Sequence, residues 1–325
     1  MTVLVSGGTG FVGCNIVRYL AHQGWKVLAV DVTPPDNALE GYWRNEKDRI
    51  RFLQRDIACR QTVEEAVQGK KIDLIVHSAA ITSWDQDRPE SLQRMLQVNL
   101  LGSVTMLDIA RSLSSVKRFL YLSSGAVYGP TRETRPITEE CALRPSNPYA
   151  LAKCTSEALV RYAEEKRNFS TVVLRLGWIY GPMERPTLAR SRMSTIWELS
   201  HRALRGEEIR INNVEAVRDW THVEDVGKAV HLLLTPGQFP HAVYNLSGGE
   251  GYATRAVLAV LQERFSDLSY NVVPDEQANV HVNIQNRRGP LSIRRLKEDV
   301  GFIPTYNLYS GLDAYVAWLG KKGER

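Results

Sequence analysis

Residues 4–13 read Leu-Val-Ser-Gly-Gly-Thr-Gly-Phe-Val-Gly, an apolar run that predicts a strand, followed by a glycine-rich turn into a helical pattern. Gly8, Gly10 and Gly13 match G-x-G-x-x-G, and Gly7, Gly10 and Gly13 match the longer spacing G-x-x-G-x-x-G. Glycines there let the backbone approach a pyrophosphate, and the N–H groups at a helix start attract its charge. The position between a strand and a helix makes the motif specific. We therefore expect a dinucleotide site contacted by Gly7, Gly10, Phe11, Val12 and Gly13.

A carboxylate follows where such a site needs one. Asp31 ends the second predicted strand, 18 residues after Gly13. An acidic side chain at this point accepts hydrogen bonds from the adenosine ribose 2′-OH and repels a 2′-phosphate. Together, the glycine run and Asp31 predict NAD as the cofactor in preference to NADP.

The first 175 residues alternate short β-branched runs with longer helical patterns, which indicates a parallel sheet covered on both faces. Strands are predicted at 3–6, 26–31, 51–55, 72–77, 119–123 and 171–175, and helices at 11–23, 62–68, 91–113 and 149–167. Right-handed crossovers between such strands give a doubly wound sheet. The fold class is thus α/β, with a Rossmann-type doubly wound parallel sheet.

The pattern becomes irregular after Arg175, which indicates a smaller C-terminal α/β substrate lobe. Helices are predicted at about 195–205, 223–235, 254–265, 292–299 and 311–319, and strands at 209–211, 243–246 and 270–273. We expect an NAD-binding domain over residues 1–176 with a returning segment at about 219–241. The lobe then takes residues 177–218 and 242–325.

Composition excludes several classes of protein. The chain has 325 residues, 43% of them apolar and 24% charged, which is ordinary for one large or two smaller globular domains. The net charge of +5 contains no block of like charges, so nucleic acid is not an expected partner. Neither the four cysteines nor the seven histidines show metal-ligand spacing, so no metal is expected. Without a basic leader or a long apolar run, we expect no membrane association and a cytoplasmic location.

A tyrosine and a lysine stand one helical turn apart. Asn147 is a good N-cap and Pro148 a good first helical residue, so Tyr149 and Lys153 fall at i and i+4 on one helix face. A phenol has a pKa of about 10, and an adjacent ammonium, with the positive nicotinamide ring of an oxidised cofactor, favours the phenolate and lowers that pKa. The alternative is a surface pair on an amphipathic helix.

A serine ends a central strand. The fifth strand runs into Ser123, Ser124 and Gly125, and ligands of open α/β sheets bind at the carboxyl ends of the strands. A hydroxyl there can hydrogen-bond the carbinol that Tyr149 deprotonates. Ser124 is the expected residue, Ser123 is the alternative one register away, and a plain turn serine is the other interpretation.

Further segments strengthen one resemblance. They are Asp56-Ile57, His77 to Ala80, Asn99 with Gly102, Arg175 to Pro182, and Arg218 to Val226. With the glycine run and Y-x-x-x-K, the chain resembles an extended short-chain dehydrogenase/reductase of the NAD-dependent epimerase/dehydratase family over its whole length. The resemblance implies that Asp56, Ile57, Ala79, Ala80 and Asn99 contact NAD. It also implies that Ser124 and Tyr149 are catalytic and that Lys153 holds the nicotinamide ribose.

The same resemblance narrows the reaction. The family's dehydratases carry Asp and Glu at the two positions after the catalytic hydroxyl, and its decarboxylases carry Glu at the second. Here these positions are Gly125 and Ala126. Hydride chemistry therefore remains, as epimerisation through a keto intermediate or as net dehydrogenation. A non-catalytic NAD-binding scaffold is a further alternative, although it would have no need of Ser124, Tyr149 and Lys153 together.

The expected substrate is a sugar, nucleotide-linked by resemblance. Family members bind the diphosphate with an Asn at the strand exit and two Arg, matched here by Arg218 and Arg287, whereas Trp178 replaces the Asn. The alternative is a free sugar, a sugar acid or another secondary alcohol. Candidate substrate contacts are Thr82, Ser124, Gly125, Trp178, Arg185, Arg218 and Arg287. The resemblance also implies a homodimer through the helices at 91–113 and 149–167.

Overall fold

A computed structural model describes residues 1–83, 89–131, 135–165, 169–237, 239–283 and 288–323. In chain order its strands are β1 (Thr2–Ser6), β2 (Lys26–Asp31), β3 (Ile50–Gln54), β4 (Leu74–His77), β5 (Arg118–Ser124), β6 (Ser170–Leu176), β7 (Trp178–Tyr180), β8 (Ile209–Ile211), β9 (Val217–Arg218), β10 (Trp220–His222), β11 (Val243–Leu246), β12 (Tyr252–Ala253) and β13 (Tyr270–Val272). Its α-helices are α1 (Phe11–His22), α2 (Asn37–Tyr42), α3 (Arg60–Val67), α4 (Pro89–Leu96), α5 (Gly102–Ser112), α6 (Pro148–Glu165), α7 (Thr195–Arg205), α8 (Val223–Leu234), α9 (Thr254–Arg264), α10 (Arg294–Val300) and α11 (Leu308–Gly323).

Within the described residues, seven parallel strands form the central sheet in the order β11-β6-β5-β4-β1-β2-β3. Val3 of β1 pairs with Val27 of β2 on one side and with Leu74 of β4 on the other. The strand order reverses at β1, and open α/β sheets bind their ligands at such a switch point. This sheet confirms the predicted fold class.

Apolar side chains cover both faces of the sheet. Val3 and Val5 face a core that contains Leu20 of α1 and Val230 of α8, while Leu4 faces the opposite core around α3, α5 and α6. Successive side chains of a strand point to opposite faces, so a strand covered on both sides must be apolar throughout. This is why the strands appeared in the sequence as continuous apolar runs.

The third apolar core lies in the second half of the chain. Its buried side chains include Ile196 and Leu199 of α7, Ile209 of β8, Leu258 of α9 and Leu312 of α11. The small sheets β8–β13, β7–β10 and β9–β12 belong to this half of the molecule. The sequence did not predict the very short strands β7, β9, β10 and β12.

Two predicted boundaries need correction. Residues 242–325 were all assigned to the lobe, but β11 is the edge strand of the central sheet, where Val243 pairs with Val173. A short apolar strand carries no local signal of which sheet edge it joins. The single helix predicted at 91–113 is interrupted by a π-helical turn, Gln97–Leu101, between α4 and α5. We retain the rest of the domain division as a proposal.

Candidate active site

The glycine turn after β1 leaves no room for side chains. Gly7 has φ of 70°, and a Cβ on it would lie 2.6 Å from the Cα of Ala79 in the loop after β4. A Cβ on Gly13 would lie 1.9 Å from the carbonyl oxygen of Gly7. The turn, the β4 loop and the first turn of α1 are therefore packed backbone against backbone.

The N-terminus of α1 suits a pyrophosphate. Its N-cap is Gly10, which has no side chain to bond the first N–H groups of the helix. Those N–H groups, of residues such as Phe11, Val12 and Gly13, have no partner within the helix. With the positive end of the helix dipole, they form a site for a negatively charged group. The predicted cradle thus fits the phosphates of a dinucleotide.

Asp31 lies beside this turn at the end of β2. Its carboxylate accepts the N–H groups of Thr9 (3.2 Å), Val32 (2.8 Å) and Thr33 (3.2 Å). A carboxylate has about four acceptor sites, so capacity remains for a ribose hydroxyl. The negative charge is held next to the turn, as the prediction of NAD requires.

The residues expected at the adenine end lie in different environments. Asp56 accepts the N–H of Ala58 (2.9 Å) and a guanidinium N–H of Arg94 (2.7 Å). It lines a cavity of about 330 Å³ together with Ala58, Cys59, Arg94, Gln97 and Leu101. Ile57 is buried and packs against Gly102 at the start of α5. Only Asp56 of this pair therefore lines an open space.

Asn99 shapes the loop after β4. Its side-chain amide accepts the N–H of Ile81 (2.8 Å) and donates to the carbonyl of the same residue (2.9 Å). These two bonds fix the backbone that follows Ala79 and Ala80. The carbonyl of Asn99 itself accepts the hydroxyls of Ser103 and Ser156. The structure thus uses the Asn99 side chain to position the loop on which the two alanines lie.

Tyr149 and Ser124 lie together at the carboxyl end of β5. Ser124 caps a 3₁₀ turn, Gly125–Tyr128, by accepting the N–H of Ala126 at 3.2 Å. Burial raises the pKa of the Tyr149 phenol, while its interaction with the Ser124 hydroxyl and the positive charge of Arg190 oppose that rise. The tyrosine therefore faces both a hydroxyl and a cation.

Lys153 is buried one turn further along α6. Its ammonium donates to the carbonyl of Leu122 at 2.7 Å and lies 4.8 Å from the ring centroid of Tyr121. Its Nζ lies 5.9 Å from the ring centroid of Tyr149. Burial lowers the pKa of Lys153 to about 7, against the opposing effect of Glu157. Burial thus makes Lys153 give up its proton far more readily than an exposed lysine does.

The structure separates the two serines between which the sequence could not choose. The hydroxyl of Ser123 is buried and donates to Glu157, whereas Ser124 lies on the side of Tyr149. The two hydroxyls therefore have different partners on α6. Of the two candidates, the structure places Ser124 beside the tyrosine.

A buried ion pair supports this arrangement, and the sequence did not predict it. Arg175 of β6 donates from Nη2 to Glu157 at 2.6 Å and from Nη1 to the hydroxyl of Tyr128 at 2.8 Å. Tyr128 in turn donates to Asn245 of β11 at 2.8 Å. Glu157 follows Lys153 by four residues on α6, and that helical spacing could have revealed it.

The segment 183–194, which we call the strap, connects the lobe to the loop after β4. The N–H of Thr82 donates to the carbonyl of Ala189 at 2.8 Å, and that of Ser191 donates to the hydroxyl of Ser83 at 2.8 Å. Glu184 closes the base of the strap by accepting the N–H and the hydroxyl of Ser194, both at 2.7 Å. The expected substrate residue Thr82 is therefore bonded to the strap.

Two arginines of the strap point toward the cofactor side. Arg185, expected to contact substrate, forms an ion pair with Asp36 after β2, so its guanidinium already has a charged partner. The sequence could not show this, because the two residues are far apart in the chain. The guanidinium carbon of Arg190 lies 5.3 Å from the ring centroid of Phe11, the first residue of α1.

Arg218 and Trp178, at positions expected to contact the substrate diphosphate, contact each other. The guanidinium of Arg218 stacks on Trp178, 4.6 Å from its ring centroid, and donates to the carbonyls of Val217 (2.8 Å) and Asn283 (2.6 Å). Trp178 also meets Trp220 edge to face. Arg287 lies outside the described residues. Of the two arginines expected to bind the diphosphate, the structure therefore describes only Arg218, and that side chain is buried.

The chain matches one family model over most of its length. Residues 3–247 match the model of the NAD dependent epimerase/dehydratase family. The low-salt glycan biosynthesis protein Agl12 of Haloferax volcanii is 32% identical over 255 residues, 77% of each chain. The dTDP-glucose 4,6-dehydratase of Streptomyces griseus is 29% identical and covers 98% of this chain and 94% of its own.

Solved structures agree with the sequence matches. A UDP-glucose 4-epimerase from Thermotoga maritima, crystallised with UDP-glucose, superposes with a TM-score of 0.82 at 25% identity over 99% of each chain. A UDP-glucose 4-epimerase from Thermus thermophilus, in complex with NAD, has a TM-score of 0.79 at 27% identity over 98% of each chain. The chain therefore belongs to the NAD dependent epimerase/dehydratase family, as an enzyme of the short-chain dehydrogenase/reductase type whose cofactor is NAD.

Proposed function

We propose that the protein is an NAD-dependent epimerase-type oxidoreductase that acts on a nucleotide-linked sugar through a keto intermediate. The observation that carries the proposal is the meeting of Ser124, Tyr149 and Lys153 at the carboxyl end of β5. The guanidinium of Arg190, paired with Glu184 and lying over Phe11 at the start of α1, also lowers the pKa of Tyr149 through its charge. The relatives that match the chain include nucleotide-sugar epimerases and dehydratases.

In this mechanism Tyr149 removes the proton from the substrate hydroxyl, and Ser124 holds the carbinol oxygen by a hydrogen bond. Lys153, when protonated, favours the phenolate form of Tyr149. Bound NAD supplies a hydride acceptor and, once reduced, a hydride donor. In an epimerase the ketone turns over between oxidation and reduction, and Tyr149 returns its proton to the same oxygen.

The two residues after Ser124 distinguish the proposed epimerisation from dehydration. Gly125 and Ala126 offer neither an acid nor a base, so elimination of water from a keto sugar lacks its catalysts here. Several relatives are named as dTDP-glucose 4,6-dehydratases, but that activity does not transfer to a chain without these carboxylates.

One observation favours a second candidate, a net dehydrogenase of a free sugar, sugar acid or other secondary alcohol. Trp178 stands where the family's diphosphate-binding Asn is expected, and Arg218 is engaged with Trp178 and two carbonyls. A nucleotide diphosphate would have to displace these contacts. A substrate without a diphosphate would not.

The experiment is turnover of the NAD-loaded protein with UDP-, dTDP- and GDP-sugars and with free sugars. Epimerisation produces a new sugar stereoisomer by NMR without lasting absorbance at 340 nm, whereas a dehydrogenase accumulates NADH with product. Tyr149→Phe is expected to lower the rate by about 10²–10⁴-fold. Tyr309→Phe, the same change at a half-exposed position of α11, should leave it unchanged. Equal turnover by Tyr149→Phe and the wild type would contradict the mechanism.

We also propose a homodimer formed through α4, α5 and α6. These helices, with the π-helical turn between α4 and α5, pack together and expose the large apolar side chains Leu96, Leu101, Val104, Leu151 and Tyr162. Sedimentation of the wild type should give twice the mass of the chain, and Leu101→Lys with Leu151→Lys should give the monomer. A monomeric wild type would refute this arrangement.

A cytoplasmic location is likewise a proposal, consistent with four free cysteines. Among the helices of the described residues, none is long and apolar enough to cross a membrane.

A further inference from the structure

The space beside Gly125 is filled by a guanidinium from a distant part of the chain. A Cβ on Gly125 would lie 2.9 Å from Nη2, 3.0 Å from Cζ and 3.2 Å from Nε of Arg288. Gly125 follows Ser124 directly, and the Cα atoms of consecutive residues are about 3.8 Å apart. The cation of Arg288 therefore lies beside the backbone of the residue that follows Ser124, at the carboxyl end of β5.

Asp219 accepts hydrogen bonds from both terminal nitrogens of this guanidinium. Nη1 of Arg288 donates to Oδ2 at 3.1 Å, and Nη2 donates to Oδ1 at 3.2 Å. Asp219 also accepts the N–H of Leu291 at 3.0 Å, and its side chain is 1% exposed. The bidentate pair orients Arg288 and restricts its motion, as a positioned binding group requires.

One edge of the guanidinium remains available. A guanidinium has five N–H donors. Three of those of Arg288 go to Asp219 and to the carbonyl of Gly289 (3.2 Å). Within the described part of the chain, the N–H of Nε and the second N–H of Nη2 have no acceptor. These two donors are parallel and lie on the same edge, the arrangement that binds a carboxylate with two hydrogen bonds.

We propose that Arg288 binds a carboxylate of the substrate, so that the substrate is a sugar acid whose carboxylate lies close to the carbon being oxidised. This rests on the proposed function, because it takes Ser124 and Tyr149 as the residues at the carbinol. It deepens that function by naming the substituent that the site selects. It also explains Gly125, since a side chain there would push the guanidinium away.

Donor geometry accounts for the selectivity, because the Arg288–Asp219 pair is neutral as a whole. Charge-assisted hydrogen bonds to a carboxylate are roughly twice as strong as neutral ones. A hydroxymethyl group presents one acceptor oxygen and leaves one donor of the edge without a protein or ligand partner. The acid is therefore favoured over the corresponding neutral sugar.

The test is calorimetric binding of two matched pairs of probes to the NAD-loaded protein. The pairs are UDP-glucuronate with UDP-glucose and free glucuronate with free glucose. The acid is expected to bind at least about tenfold more tightly than its neutral partner, the scale set by pairing both remaining donors of the guanidinium. Arg288→Lys keeps a positive charge beside Asp219 but cannot present two parallel donors, so the ratio should fall toward one.

Two further variants address the possibility that Arg288→Lys loses the preference only because it unfolds. Gly125→Ala keeps both Arg288 and Asp219 but displaces the guanidinium, and it should also lower the ratio of acid to neutral affinity. Arg294→Gln, which removes an exposed charge from α10, should leave that ratio unchanged. Urea unfolding of each variant shows whether a lost preference comes from lost folding.

The outcomes separate this inference from the proposed function. Binding of UDP-sugars without preference for the acid, or a preference unchanged in Arg288→Lys and Gly125→Ala, would mean that Arg288 only anchors its own segment to Asp219, and the inference fails alone. Preference for free glucuronate without binding of either UDP-sugar would support Arg288 and overturn the nucleotide-linked substrate. Absence of binding by all four probes would overturn both.

Discussion

Substitution of Gly13 by Ala tests the cofactor cradle most directly. The new Cβ would lie 1.9 Å from the carbonyl oxygen of Gly7, whereas ordinary contact needs about 3.5 Å. The turn and the start of α1 would therefore have to separate by about 1.6 Å. Gly7 cannot simply retreat, because its backbone is packed against Ala79 and its carbonyl accepts the N–H of Gly10 at 3.1 Å.

Two effects of Gly13→Ala are expected. Overpacking of this kind lowers the free energy of unfolding by about 1–3 kcal/mol. Displacing the helix start also weakens one or two hydrogen bonds to the pyrophosphate, each worth about 1.5–3 kcal/mol when the acceptor is charged. The Kd for NAD should therefore rise by at least about tenfold.

Urea unfolding without NAD measures the first effect, and calorimetric titration with NAD measures the second. Gly320→Ala is the matched control, because a Cβ at this position of α11 meets nothing within 4 Å. The control should keep the wild-type Kd and gain up to about 1 kcal/mol of stability from better helix propensity. If Gly13→Ala bound NAD and unfolded like the wild type, the described contact between Gly7 and α1 would be wrong.

Three other predictions concern charges around the site. Asp31→Asn should shift the preference between NADP and NAD toward NADP by about tenfold or more, because it removes the repulsion of a 2′-phosphate; an unchanged ratio of the two Kd values would exclude Asp31 as the selector. The pKa of Lys153, lowered by burial to about 7, lies below the value of about 10.4 in an unfolded chain. The unfolded state therefore binds more protons between these values, and the stability of the NAD-free wild type should rise from pH 7 to 9 by up to about 1.4 kcal/mol per pH unit relative to Lys153→Met; parallel urea profiles would contradict it. Arg175→Met leaves Glu157 buried without its partner and should cost about 3–5 kcal/mol, and a second change, Glu157→Leu, should restore part of that loss; a single variant as stable as the wild type would show that the pair adds nothing.

Much of the fold was accessible from the sequence because its signals are local. The six strands predicted before Arg175 lie within two residues of β1 to β6 at each end. Apolar runs of this length, separated by helical patterns, depend only on neighbouring residues. β11 was assigned to the wrong part of the molecule for the opposite reason, since its partner β6 lies about 70 residues earlier.

The residues of the candidate site likewise fall into those that local spacing predicts and those that only the structure reveals. The glycine turn, Asp31 and the pair Tyr149–Lys153 are defined by spacing along one strand or helix, so the sequence could place them. The choice between Ser123 and Ser124 required the structure, because both serines meet side chains of α6 and their positions in β5 do not say which of them reaches Tyr149. Glu157 was missed even though its spacing from Lys153 is helical.

The sequence by itself determined the class of fold, the dinucleotide cradle and the catalytic helix, because a turn, a strand end and a helix face are set by residues close together in the chain. Tertiary structure alone decided where the arginines point. Arg185 meets Asp36, and Arg288 meets Gly125 and Asp219, across separations of about 70 residues or more. A long, charged side chain takes whichever partner the folded chain brings within reach, and no local pattern specifies that partner.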